Sequence, residues 1–203
     1  ASLLSLLRDT KVFVLCAIYF LNLGAVYVLV FWAPTMIQSW GVKDVFHVGL
    51  LKAIPSICGV IAMVLIGRSS DYFGDRRWHF VACVTLIVTF LMAMVMAKGE
   101  LVPSMIFYSI VTIGTSSATP LFFAFISDYL PREQAAGGIA LISSVGNLGP
   151  SVTPVVSAWI LTATGDQSYS LYFIAALYIM AGLIMAIAGR PRTVAAAAAP
   201  QAA

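Results

Sequence analysis

Two places in this 203-residue chain bring together side chains that could do chemistry. The first is the connection GRSSDYFGDRRWH, residues 67–79, which crowds three arginines, two aspartates and two glycines between stretches nearly free of charge. Retention of basic residues on one side of a membrane accounts for Arg68, Arg76 and Arg77, and a two-glycine turn is ordinary. Neither accounts for Asp71 and Asp75. The pattern suits a charge latch, in which Asp71, close to a helix end, pairs with an arginine or a neighbouring helix N-terminus and holds one conformation closed.

The second place is a set of uncharged polar groups inside long apolar runs. Tyr108, Thr112, Thr115 and Thr119 follow i, i+4, i+7, i+11 and draw one stripe along a helix, with Ser116 beside it. Ser143, Ser144, Asn147 and Ser151 fall within one arc of about 100° on another helix. Asn22 and Asn147 each lie ten residues into their runs, which run in the same direction. At about 1.5 Å per residue both come to roughly 15 Å, mid-membrane. Tyr19 and Tyr27 share the broad side of Asn22. Serine and threonine at such depth often serve only to let helices approach, but a side-chain amide in hydrocarbon needs partners. Matching depth on two helices therefore points to a shared polar cavity.

Other chemistries find no residues. His47 and His79 sit at run ends, so no nucleophile has a base inside the membrane, and an enzyme is not expected. Cys16, Cys58 and Cys83 lie in apolar runs with no disulfide or zinc spacing. No cofactor, metal or nucleic-acid partner is expected.

The elements that position these groups follow from composition. The chain is 61% hydrophobic and 9% charged, with a mean hydropathy of +0.99, against about 25% charged for a soluble domain. Six apolar runs, at roughly 12–38, 47–67, 79–97, 102–126, 137–162 and 170–189, are long enough to cross a bilayer. The expected fold is all-α: a polytopic membrane protein with six transmembrane helices. Residues 1–11 read as a cytoplasmic lead-in, 12–189 as the bundle, and 190–203 as a disordered tail. One side collects Arg8, Lys11, Arg68, Arg76, Arg77, Arg132, Arg190 and Arg192, the other Lys43, Lys52 and Lys98. That imbalance puts both termini in the cytoplasm. Lys52 is the one charge inside a run, near enough its end to snorkel. Gly146, Gly149, Pro150 and Pro154 mark the fifth run as bent and small, suited to a gate or cavity wall.

Gly67-x-x-x-Asp71, followed by Gly74 and the Arg76-Arg77 pair, resembles the loop signature of the major facilitator superfamily, which recurs once in each half of those transporters. Tyr72 stands where an arginine usually follows the aspartate, and Asp75 where a basic residue is frequent. The stretch IYFLNLGAVYVLVFWAPTMIQSWG, residues 18–41, is similar to the seventh helix of the anion:cation symporter branch, most tellingly at Phe31-Trp32-x-Pro34. AAGGIALISSVGNLGPSVTPVVSAWILTATG resembles that branch's eleventh helix around Gly146-Asn147-Leu148-Gly149, with Pro150 and Thr153 where glycine is more frequent. The resemblance implies the carboxyl-terminal six-helix half of a transporter in the bacterial inner membrane. It implies uptake of an organic anion, such as a sugar acid, dicarboxylate or aromatic acid, together with protons. Gly67, Asp71, Gly74, Arg76 and Arg77 would form the conformational gate. Asn22, Tyr27, Ser116 and Asn147, then Tyr19, Ser143 and Ser144, would meet the substrate. An amino-terminal half, absent here, would supply the anion-binding arginine and the proton-handling carboxylates. The alternatives are a non-transporting scaffold or sensor, or a six-span half that pairs with another subunit.

Overall fold

The computed structural model describes residues 9–97, 99–130 and 132–188, and the lead-in before residue 9 and the tail from residue 190 lie outside them. So do Arg8, Lys98, Arg190 and Arg192, part of the charge imbalance behind the expected orientation. Seven helices follow one another: α1 Thr10–Ser39, α2 Val45–Phe73, α3 Arg76–Met96, α4 Leu101–Tyr129, α5 Arg132–Gly146, α6 Gly149–Thr164 and α7 Ser168–Ala188. The α5 and α6 segments together make one span, so among the described residues six helices are long and apolar enough to cross a membrane. This is the all-α, six-span architecture expected from the apolar runs.

The short polar connections supply the helix starts. Asp9, Asp44 and Asp75 each accept a backbone N–H of the following helix, from Lys11, Phe46 and Trp78 respectively, which satisfies donors that a helix start otherwise leaves open. Gly74, at φ 65°, ends α2 in the left-handed conformation that suits glycine. The helices extend beyond the apolar runs because these caps, not hydropathy, decide where they begin and stop. Helix α2 continues to Phe73, so Asp71 lies in its last turn, and only Gly74 and Asp75 separate α2 from α3.

The fifth span is broken rather than merely bent. Asn147 and Leu148 form a turn between α5 and α6, and Pro150 follows in the first turn of α6. Proline has no N–H, so the carbonyl of Gly146 loses the donor it would have four residues on.

Helix α1 is the most enclosed: it packs on α5, α6 and α7, while α3 lies against α4 and α7, and α2 mainly against α4. Its seam with the fifth span is built on small residues. A side chain at Gly146 would run into the Tyr19 ring, and one at Gly149 into the Phe20 carbonyl. Thr153 donates to the Gly24 carbonyl at 2.9 Å, and the Trp32 indole N–H donates to Ser157 Oγ at 3.1 Å. These contacts hold α1 and the fifth span together along both halves of the break, and thereby position the polar groups they carry.

Candidate functional site

The charged connection folds into one cluster around Arg76. Its Nη2 lies 3.2 Å from Asp71 Oδ1, and its Nε lies 2.6 Å from Asp128 Oδ2. Asp71 and Asp128 both sit in the last turn of a helix, α2 and α4, where the helix dipole disfavours a negative charge. One guanidinium at the start of α3 answers both. Asp75 caps α3 and takes no part in the pairing. Arg77 turns the other way: it donates to the Ala186 carbonyl of α7, and its guanidinium lies over the Trp78 ring, 5.0 Å from the centroid. Gly67 faces open space, with no atom within 4 Å of where a side chain would begin. A cavity of about 260 Å³ opens beside the cluster, lined by Arg76, Arg77, Trp78, Asp128 and Tyr129 among others. Asp128 carries one signal in the sequence: a carboxylate at a helix end, in SDYLPREQ.

The mid-depth groups divide into packed and open ones. Asn22 is fully buried and donates from Nδ2 to Thr119 Oγ1 at 3.1 Å, tying α1 to the threonine stripe of α4. Its Oδ1 has no hydrogen-bond partner. Tyr19 is buried too, stacked on Phe122 with centroids 5.4 Å apart and edge-on to Phe123. Ser116 meets α2 where it is narrowest: a side chain at Gly59 would stand 2.7 Å from Ser116 Oγ. Ser117, on the same turn, donates to its own helix at Ile113.

Tyr27 is 39% exposed and leans on Phe31. Asn147 is exposed and donates to the Ser143 carbonyl at 2.7 Å, and the exposed Ser144 donates to Ala140. Ser143 is half-buried. The structure thus joins Asn22 to the α4 stripe and Asn147 to Ser143, while Asn22 and Asn147 share no hydrogen bond. Among the described residues Ser144 and Asn147 donate to their own helix alone, and Asn147 keeps a second amide N–H as well as its Oδ1 for a partner outside it.

Lys52, the one charge inside a run, places its Nζ 3.5 Å from the Val30 carbonyl of α1. That carbonyl is the one Pro34 leaves without its usual donor, so the pairing of Pro34 with a cation was written in the sequence but needed two helices to be seen.

Over residues 15–203 the sequence matches the Major Facilitator Superfamily. The chain belongs to that family. It is 35% identical, over 93% of its length, to a putative tartrate transporter of Agrobacterium vitis, of which it covers 43%. It is 33% identical over 87% of its length to the putative metabolite transport protein NicT of Pseudomonas putida, covering 39% of that protein. A quinolone resistance transporter of Acinetobacter baumannii is 32% identical over 91% of the chain and is covered to 42%. This major facilitator chain therefore spans about four tenths of the length of the curated relatives it matches.

Proposed function

We propose that this chain forms the carboxyl-terminal six-helix half of a major facilitator transporter that takes up a small organic anion together with protons. One observation carries the reading: a family match over residues 15–203 belongs to a chain whose mid-depth polar groups are uncharged, Asn22, Thr119, Ser143 and Asn147 among them. Such a half offers hydrogen bonds to substrate hydroxyl and carboxylate oxygens, while a second half brings the anion-binding arginine and the proton-handling carboxylates. Two halves around a midplane site are the family's general plan. The relatives named for tartrate and for galactarate/D-glucarate transport support a carboxylate substrate.

In this reading Asn147, Ser143, Ser144 and Tyr27 face the substrate directly. Asn22, Tyr19 and Ser116 shape the wall behind them and come into contact as α1 and α4 move. Gly67, Asp71, Gly74, Arg76 and Arg77 form the gate, with Asp128 as an added partner. The protein lies in the bacterial inner membrane with both termini cytoplasmic.

Uptake tests the proposal. Cells expressing the whole protein that contains this chain are given labelled tartrate, glucarate and nicotinate, with and without a protonophore. Accumulation of at least one acid that collapses with the proton gradient is expected, and it is lost on Asn147→Ala at equal abundance. Uptake that ignores the gradient would remove proton coupling, and no uptake of any acid would remove the anion reading.

A further inference from the structure

Lys52 stands in an unusual position. It lies on the stripe Val48, Lys52, Pro55, Gly59, at i, i+4, i+7, i+11, whose other three members are all buried. This face of α2 turns toward the protein, so the side chain is directed inward rather than at lipid. The residue is half-buried, and no carboxylate lies in ion-pair contact with it among the described residues. Lys52 lies seven residues into α2, about 10 Å from its start, and an ammonium on an inward face without a counter-ion calls for a functional reading.

Its one partner is weak. The Val30 carbonyl, at 3.5 Å, accepts a single long hydrogen bond, and an ammonium carries three donors. Around that carbonyl the α1 surface is open: Tyr27, Val30 and Phe31 are all exposed. Tyr27 lies three residues before Val30, roughly 4.5 Å along the helix, and Asn22 a further five residues, roughly 7.5 Å. One turn before Lys52 on α2, Gly49 has nothing within 4 Å of where a side chain would begin, so that stretch of α2 is open.

We propose that Lys52 is the carboxylate-binding cation of this chain, holding one carboxylate of the substrate while Tyr27 hydrogen-bonds an oxygen one turn deeper. The inference rests on the organic-anion reading above and adds a charged contact that this half supplies itself. In the empty protein the Val30 carbonyl parks the ammonium; a carboxylate takes over the two free N–H groups and shortens the contact, as charge-assisted bonds do. The Tyr27 phenol, exposed and in ring contact with Phe31, meets a hydroxyl or the second carboxylate oxygen.

The test separates charge from architecture. Lys52→Gln keeps a donor for the Val30 carbonyl but removes the cation, and Lys52→Arg keeps the cation. With labelled tartrate, and with whichever acid the parent accumulates best, the whole protein is assayed for initial uptake in proteoliposomes. Lys52→Gln is expected to raise KM roughly tenfold or more, the scale of a lost hydrogen bond to a charged group, with a smaller change in maximal rate. Lys52→Arg is expected to recover most of the affinity, and the thermal midpoint of both variants to stay near the parent's. An unchanged KM in Lys52→Gln would overturn the inference while leaving anion transport standing. A KM rise matched by Lys52→Arg, with a fallen thermal midpoint, would overturn it in favour of a purely architectural lysine. Where the parent itself moves none of the acids, the anion reading fails and this inference with it.

Discussion

Asp71 and Asp128 lie at the ends of different helices and share one arginine, Arg76, at 3.2 and 2.6 Å. Both carboxylates are well exposed, 64% and 62%, whereas Arg76 is 27% exposed. In the proposed latch the less exposed guanidinium is the pivot and the aspartates are the movable parts. Exposed pairs contribute at most about 1 kcal/mol each, which is too little to hold the fold but enough to bias two conformations.

Arg76→Gln should accordingly slow transport more than it weakens the protein. Losing both pairs shifts a two-state balance by about 1 kcal/mol, roughly fivefold in population. Asp71→Asn and Asp128→Asn should each give part of that effect, with membrane insertion unchanged. Uptake rates normalised to membrane abundance decide it, and equal rates in parent and Arg76→Gln would dismiss the latch.

Gly149 and Gly67 make a matched pair of opposites. A side chain at Gly149 meets the main-chain oxygen of Phe20, which cannot swing aside, whereas at Gly67 nothing lies within 4 Å. Gly149→Ala is expected to lose about 1–3 kcal/mol to overpacking, and Gly67→Ala almost nothing. Thermal unfolding of the two variants in detergent measures the contrast. If Gly67→Ala leaves the midpoint intact but lowers transport, that face of α2 is needed by something outside these six spans.

The Asn22–Thr119 bond predicts an ordering of two substitutions. Asn22 Oδ1 already lacks a partner, so Thr119→Val would leave the entire buried amide unpaired, at about 1–3 kcal/mol. Asn22→Leu removes the demanding group itself and should destabilise less. Should Asn22→Leu prove the more stable of the two yet inactive in uptake, the amide is kept for function rather than folding.

Asp44 gives a pH dependence outside the spans. A hydrogen bond from His47, 2.5 Å away, and then the Phe46 N–H hold its carboxyl below the ordinary value of 3.8. A folded value below the unfolded one means that the stabilisation is complete above the ordinary value and drains as pH falls through the lowered one. Amide protection at the start of α2 is expected to be flat from neutral pH down to about 4 and to fall below it. Asp44→Asn, which still caps, should lack that acid step, and an identical step in the variant would assign it elsewhere.

The helices were legible because membrane spans are declared by unbroken apolar length, a signal that needs no partner to interpret. Their ends were not: α2 runs to Phe73, past the apolar residues, because Gly74 and not hydropathy stops it. Within the sites, depth could be counted along a single helix, so Asn22 and Asn147 were placed at similar levels. Azimuth could not, since which side meets a neighbour depends on how helices pack, and the structure buries one asparagine and exposes the other. Contacts between distant segments were the least legible. Arg76 with Asp128, Lys52 with Val30 and Trp32 with Ser157 each join residues that no spacing rule links. In two of them a local defect was nonetheless visible beforehand: a carboxylate at a helix end, and a carbonyl stripped of its donor by Pro34.

The interruption at Asn147 and Leu148 has a consequence for how this protein can be dissected. Because Pro150 cannot donate, the peptide oxygen of Gly146 is left available inside the bilayer whichever side chains surround it. Alanine substitutions at the other positions between 143 and 151 are blind to such an oxygen, and on their own would score the segment as less important than it is. Pro150→Ala is the substitution that reaches it, by handing the oxygen a donor and letting the two short rods fuse into one.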